Sequence, residues 1–380
     1  MKYYIIAGEA SGDLHASNLM KALKAQDKEA VFRFWGGDLM QAVGGTLVKH
    51  YRDLAFMGFA EVLMNIKTIF KNIAFCKKDI TSFAPDVIIF VDYPGFNMRI
   101  AKWARTEGYR THYYISPQLW AWKENRIKAI KKDIDEMYVI LPFEKDFYEK
   151  KHDFPVHFVG HPLIDAIAQY PRVDESQFRE THKLDPEKPI IALLPGSRKQ
   201  EIRKMLSVML EMAPLFKAYQ FVIAGAPGQD AEFYRPFITD ANIGFVNNRT
   251  YDLLSVSFAA LVTSGTATLE TALFKVPEIV CYRGNWFSYQ IAKRIITLKY
   301  ISLVNLVMDK EVVTELIQGD LNRDRLREEL NKILDDKKRR QIFSDYHELE
   351  KKLGGRGASE QTARLIISGA GNRYSVNGGR

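Results

Sequence analysis

The stretch TSGTATLE, Thr263 to Glu270, places small and hydroxylated residues where an apolar run, AALV, gives way to a helical pattern reaching about Phe274. Small residues let the main chain come close to a ligand. The first N–H groups of a helix lack internal acceptors and carry roughly half a positive charge. The N–H groups of Gly265, Thr266 and Ala267 therefore read as a phosphate cradle. Glu270 lies one turn in, four residues after Thr266, and so is not the third-position partner of a capping box. Its carboxylate is left to accept both hydroxyls of a ribose. Taken alone, an ordinary helix cap explains this turn equally well. A second strand-to-helix turn, LLPGSRKQEIRK (193–204), holds Arg198 and Lys199. Positive side chains oppose the dipole at a helix start unless an anion lies between them, which makes Arg198 a candidate to hold a diphosphate leaving group. Arg283, after EIVCY, is a weaker candidate of the same kind.

In the first half of the chain, FVDYPGFN (90–97) puts Asp92 at the end of an apolar run, with Asn97 expected to cap the helix that follows. A carboxylate at the carboxyl end of a buried strand is partly desolvated, which raises its pKa toward that of a useful general base. The plainer role is to pin the turn. SPQLWAWKENR (116–126) sets Trp120 and Trp122 beside Lys123 and Arg126, suited to a sugar face, to an anionic lipid, or to covering the sheet edge. IIAGEASGDLH (5–15) puts the carboxylates Glu9 and Asp13 in a first strand-to-helix turn, where nucleotide-binding folds usually keep glycines.

Two series of strand-like runs position these residues. YYIIAG, VFRFWG, DVIIFVD, THYYIS, EMYVILPF and VHFVG fill the first half; PIIALLPG, YQFVIAGAPG, AALVTSG and PEIVCYR follow in the second. Nearly continuous apolar strands alternating with helical patterns indicate α/β architecture with parallel sheets covered on both faces. Between the series, the polar segment 171–189 with three prolines reads as an interdomain linker with at most one short helix. From Asp309 onward only helical patterns are evident. The expectation is two doubly wound domains facing each other across a cleft, residues 1–165 and 166–345. Helices in 346–380 would return to the first domain, ending in a frayed tail. Ligands belong at the carboxyl ends of the strands.

The 380 residues hold 47% hydrophobic content, so disorder is excluded, and two cysteines in no metal-like spacing suit a reducing compartment. The first apolar run is too short for a signal peptide, and none approaches the ~18 residues of a membrane span. A net charge of +8 favours an anionic partner, whether nucleic acid, anionic lipid or phosphorylated substrate.

The set AGEASGD (7–13), DYPGFN (92–97), SPQLWAW (116–122), VGHPL (159–163), LPGSR (194–198), SGTATLE (264–270) and SLVNL (302–306) resembles the lipid-A-disaccharide synthase family, over most of the chain and in order. The resemblance implies a glycosyltransferase of family 19 and of the GT-B type, with two Rossmann-like domains. It also implies an inverting reaction in which 2,3-diacylglucosamine passes from its UDP donor to the 6-hydroxyl of 2,3-diacylglucosamine 1-phosphate. A β-1,6 disaccharide 1-phosphate and UDP result. On that pattern the second half holds UDP through Arg198, Ser264, Gly265, Thr266 and Glu270, with Arg283 beside them. Asp92 is the base, Asn97 and Trp120 are substrate contacts, and Asn305 is a sugar or phosphate contact. The first turn, freed from cradling phosphate, offers Glu9, Ser11 and Asp13 to sugar hydroxyls or to orienting a catalytic group.

No cofactor and no metal are expected. Asp133–Ile134–Asp135 follows two lysines and reads as a solvated helix end, and His152, His157 and His161 lack tetrahedral-site spacing. The expected partners are the two sugar lipids and, peripherally, the inner-leaflet membrane surface of a Gram-negative cytoplasm, with no nucleic acid; a homodimer stays open. The stretch 58–78 carries Phe59, Val62, Leu63, Ile66, Ile69, Phe70 and Ile73 at helical spacing, with lysines alongside. A core helix is favoured there over an interfacial one. Two rivals remain: a UDP-N-acetylglucosamine epimerase of the same fold, and a non-catalytic UDP-sugar or lipid-binding protein.

Overall fold

The computed structural model describes residues 1–54, 66–121, 123–226, 228–240, 242–284 and 299–371. Two compact units emerge, one of Met1–Ala166 together with the chain from Leu353 onward, the other of Ile167–Lys352. Part of the 58–78 stretch, Trp122 and the tail beyond residue 371 lie outside the described residues.

The first unit is built on a seven-stranded sheet in the order β3-β2-β1-β4-β5-β6-β7, parallel throughout. Its central strands β1 (Lys2–Ala7) and β4 (Val87–Val91) are the near-continuous apolar runs of the sequence, and their residues Tyr3 to Ala7 and Val87 to Val91 have no exposed surface. Burial on both faces is what such runs encode. β2 (Val31–Gly36) flanks β1, while β5 (Thr111–Tyr114), β6 (Glu136–Val139) and β7 (His157–Phe158) extend the other side.

The second unit carries six parallel strands in the order β10-β9-β8-β11-β12-β13. β8 (Ile190–Leu194), β9 (Gln220–Gly225), β11 (Ser257–Thr263) and β12 (Glu278–Tyr282) match the sequence pattern. Three strands do not: β3 (Thr46–His50), β10 (Ile243–Asn247) and β13 (Thr314–Ile317). All three close sheet edges and are only half-buried, so they lack the continuous apolar signature of a central strand. β13 also corrects the expectation that only helices follow Asp309.

Segment 171–189 is not a linker. Helix Glu175–Thr181 buries Phe178, and Phe178 and Leu184 join the core of the second unit. Arg179 ties the segment together, donating to the Asp185 carbonyl at 2.6 Å, the Lys188 carbonyl at 3.0 Å and the Glu175 carboxylate at 2.6 Å. One of the charges that resembled a linker, Arg179, is buried and is satisfied by two backbone carbonyls and one carboxylate.

The return to the first unit begins at Leu353, later than residue 346. Helix Asp336–Lys352 buries Ile342, Tyr346 and Leu349. It is also clamped within the second unit by Lys275 on Glu350 at 2.7 Å and Lys310 on Asp345 at 2.8 Å. Past it the chain docks through Gly354, whose φ of +93° suits glycine. A Cβ there would lie 2.8 Å from the Gly160 Cα. Asp165 then accepts the Gly357 and Ala358 N–H groups at 2.8 and 3.0 Å, starting helix Ala358–Gly371, which packs on helix Ala10–Gln26.

Gly354→Ala combines a strained φ with a backbone overlap and is expected to lower stability by about 1–3 kcal/mol. Urea unfolding checks it, and an unchanged midpoint would show that the two backbones can separate at no cost.

Candidate functional site

In each sheet the strand order reverses once, between β1 and β4 in the first unit and between β8 and β11 in the second. Helices wound outward from such a pair leave a crevice at the strands' carboxyl ends, where open α/β sheets bind ligands. Most of the candidate residues follow these four strands.

Ala7 and Val91 are register partners, so the turns Gly8–Glu9 and Asp92–Tyr93 leave the sheet side by side. A Cβ on Gly8 would fall 2.3 Å from the Tyr93 ring, so only glycine lets that ring lie across the turn. Glu9 caps helix Ala10–Gln26 in an extended conformation, and its exposed side chain makes no cap hydrogen bond. Ser11 is exposed on the first turn of the same helix. Asp92 is half-buried, and burial, seconded by the charge of Glu9, pushes its carboxyl up to about 6 against the opposing Tyr93 N–H. An acid at that value is mostly ionised at neutral pH yet still basic enough to take a proton.

Asp13 and Asn97 depart from expectation. Asp13 is buried and accepts the Gly37, Leu39 and Met40 N–H groups at 2.8, 3.1 and 3.1 Å. Its carboxylate satisfies the start of helix Asp38–Val43 from a buried position instead of facing solvent as a sugar contact would. Asn97 does not cap a helix, and its side chain is turned into the unit instead of toward solvent. Helix Pro94–Thr106 begins three residues earlier, and Asn97 has no exposed surface. Its amide donates at 2.6 Å to the carbonyl of Asp92.

Trp120 is held by a carboxylate that sequence reasoning missed. Glu144 Oε1 accepts the Ser116 hydroxyl at 2.7 Å and the Trp120 indole N–H at 3.1 Å. Its Oε2 accepts the Ile140 and Leu141 N–H groups at 3.2 and 3.0 Å. Glu144 joins the turns after β5 and β6. The legible signal was proline at the first helical position with glutamate at the third, as Pro142 and Glu144 stand. Of the acidic pair at residues 133 and 135, Asp133 is buried rather than solvated. Asp135 accepts the Thr111 N–H at 3.0 Å and pairs with Arg105. Among the described residues no cluster of His, Cys, Asp and Glu suits a metal.

In the second unit Leu194 and Val262 are register partners, which brings the Arg198 and Ser264–Thr266 turns to adjacent strand ends. Arg198 is exposed and caps helix Lys199–Met209. The turn after β9 joins them, the Gln229 side chain donating to the Ser197 carbonyl at 3.1 Å. Gly265 caps helix Thr266–Leu273 with φ of +153°, and nothing lies within 4 Å of where its Cβ would be. The N–H groups of Thr266 and Ala267 have no acceptor within their helix. One turn in, Glu270 accepts the Tyr251 hydroxyl at 2.7 Å; burial raises its pKa and that hydrogen bond opposes the rise.

Asn305 corrects a further expectation. Its side chain donates to the Val313 carbonyl at 2.8 Å and to Glu315 at 2.9 Å, and accepts the Val312 and Val313 N–H groups at 2.7 and 3.0 Å. The amide is fully used, so it offers nothing to a sugar or phosphate. Glu315 in turn accepts the Ile301 and Ser302 N–H groups, both at 2.9 Å, and the Ile301 carbonyl accepts the Ser264 hydroxyl at 3.2 Å. Asn305 thus acts on the cradle from behind. Arg283, half-buried, gives one guanidinium N–H to the Leu321 carbonyl.

Two parallel-sheet α/β units, each with candidate residues at its reversal point, make up a two-domain fold of the GT-B type. Solved structures agree on the fold. A Staphylococcus aureus protein described as an MnaA–UDP co-structure is 15% identical, with TM-score 0.68 over 99% of this chain and 97% of that one. Methanocaldococcus jannaschii UDP-GlcNAc 2-epimerase, solved with UDP-GlcNAc and UDP, is 14% identical with TM-score 0.64 over 97% of this chain and all of that one. The sequence model of the lipid-A-disaccharide synthetase family matches residues 3–367. Relatives named lipid-A-disaccharide synthase are 37% identical in Geobacter metallireducens, over 97% of both chains, and 36% identical in Coxiella burnetii, over 95% of this chain and 96% of that one. The chain belongs to the lipid-A-disaccharide synthase family and is a glycosyltransferase of lipid A disaccharide synthesis.

Asn305→Ala strands two buried N–H groups and is expected to cost about 3 kcal/mol of stability, read from urea unfolding. An unchanged midpoint with lost UDP affinity would restore Asn305 as a ligand contact.

Proposed function

We propose that this enzyme transfers 2,3-diacylglucosamine from its UDP donor to the 6-hydroxyl of 2,3-diacylglucosamine 1-phosphate with inversion. The observation that carries the reading is Asp92, a carboxylate at the β1/β4 reversal point with its pKa pushed up to about 6. Asp92 removes the proton as the acceptor oxygen bonds to the anomeric carbon, and the bond from that carbon to the UDP oxygen breaks. Charge then grows on the departing diphosphate. Arg198 and the N–H groups of Thr266 and Ala267 oppose it with positive field, while Glu270 accepts the ribose hydroxyls. Glu9 and Ser11 are left to accept from the acceptor sugar, and the Trp120 ring to pack on it. Arg283 is a further diphosphate contact through its remaining N–H groups.

The acyl chains of these substrates also support a peripheral place at an inner-leaflet surface. Among the described residues no helix is long and apolar enough to cross a membrane. Helix Ile66–Phe83 divides the apolar stripe in two: Ile73, Cys76 and Ile80 pack in the core, while Phe70 and Phe75 are 59% and 48% exposed near the exposed Lys67, Lys71 and Lys78. That outer face combines wedge and charge for an anionic interface.

Turnover of UDP-2,3-diacylglucosamine with the 1-phosphate acceptor, followed by mass for disaccharide and UDP, tests the reaction. Turnover of unacylated UDP-N-acetylglucosamine alone would favour an epimerase instead. Asp92→Asn is expected to keep UDP affinity and lose turnover, whereas Arg198→Ala weakens UDP binding. The wild-type kcat/KM falls about tenfold per pH unit below about 6, because the base must be ionised. A carboxyl pKa raised by folding penalises the native state above it. Asp92→Asn should therefore melt higher than wild type at pH 8, with the gap closing as pH falls through about 6 and vanishing below the unfolded value of 3.8.

Vesicles carrying anionic lipid should bind the protein at low salt and release it at high salt, and Phe70→Ser should weaken the binding. Equal binding to neutral and anionic vesicles would remove the charge component.

A further inference from the structure

Asp92 and Tyr93 both sit in the left-handed region, with φ of +46° and +49°. Two consecutive non-glycine residues persist there only where their surroundings over-determine them, and such strain gathers at functional turns. Here the restraint converges on one atom. The Asp92 carbonyl accepts the Tyr113 hydroxyl at 2.6 Å from β5 and the Asn97 amide at 2.6 Å from the following helix. The Asp92 N–H meanwhile donates to the Tyr114 carbonyl at 3.1 Å. Tyr113 and Asn97 have no exposed surface, so neither reaches a ligand. Burial holds the Tyr113 phenol protonated, hence always a donor. Asn97 Oδ1 is buried without a partner, so the amide sits where its donor, not its acceptor, is satisfied.

We propose that Tyr113 and Asn97 are positioning residues for catalysis: their hydrogen bonds to the Asp92 carbonyl hold the left-handed backbone from which the Asp92 carboxylate projects. The inference rests on Asp92 as the base. Without the two donors, the peptide after Asp92 is free to rotate toward ordinary φ and ψ values. The side chain then leaves its partly buried setting beside Glu9, changing both its direction and its basicity.

Steady-state kinetics of the full chain test this, with Tyr113→Phe, which keeps the ring, Asn97→Ala as the second variant, and Asp92→Asn as reference. Tyr113→Phe is expected to lower kcat by about 10- to 100-fold with the UDP-donor KM within about twofold. The acid limb of its pH profile should move below about 6, toward an ordinary carboxylate. Asn97→Ala should shift the limb in the same direction, which preserves the test where Tyr113→Phe does not fold. An acid limb that stays in place overturns the inference, whether kcat is unchanged or falls only in step with melting temperature. Full turnover by Asp92→Asn would remove the base and this inference together, whereas an inactive Asp92→Asn beside a wild-type Tyr113→Phe profile overturns the positioning role alone.

Discussion

Parallel pairing of β1 with β4, and of β8 with β11, is the constraint on which both units depend. Each pair is the place where winding reverses, so the chain that leaves one strand is carried to one side of the sheet and the chain that leaves the other to the opposite side. No connection crosses the gap between them, and polar side chains can occupy it without being covered. The apolar strands fix the pairing. Ile5 to Ala7 against Ile89 to Val91, and Leu193 to Leu194 against Leu261 to Val262, are buried almost completely. A slip of register would move Glu9 away from Asp92, or Arg198 away from Gly265.

Around these openings the polar residues fall into two groups by how fully their hydrogen-bonding capacity is met. Asp13, Glu144, Asn305 and Glu315 each take several backbone or side-chain donors, which makes them part of the scaffold. Glu9 and Arg198 are exposed, and Asp92 keeps a carboxylate whose burial is opposed only by one N–H. Satisfied groups hold turns in place, whereas Glu9, Arg198 and Asp92 keep donors or acceptors that a ligand could use. Asn305 belongs to the first group. Through Glu315 and Ile301 it fixes the hydroxyl of Ser264.

The parts of the fold that were readable in the sequence are those where one local pattern has one physical meaning. Continuous apolar runs such as YYIIAG and DVIIFVD can be accommodated only as doubly covered strands. The small-residue turn before Leu269 and the Arg198 turn are likewise marked by composition. Edge strands β3, β10 and β13 were not legible, because a half-buried strand mixes polar and apolar residues as a loop does. Segment 171–189 misled for a related reason. Its prolines and charges resemble a linker, and composition does not reveal that Arg179 is buried against the carbonyls of Asp185 and Lys188. Glu144 was visible in principle as a helix-start signal, but that signal carries no hint of Ser116 or Trp120 as its partners.

By itself the sequence determined the class of fold, the order of its motifs, the family, and the residue types that chemistry requires at the strand ends. Fold class and site residue types follow from hydrophobic period and turn composition, which act over a few residues, and the family from the resemblance its ordered motifs carry. Tertiary structure decided which of those residues are free. Whether Asp13, Asn97 or Asn305 faces a ligand or a backbone group depends on partners that lie elsewhere in the chain, between 5 residues away for Asn97 and 27 for Asp13, and a few ångströms away in space. The same holds for Asp92, whose basicity comes from burial and from Glu9 on a neighbouring strand end, a proximity that only the pairing of β1 with β4 creates.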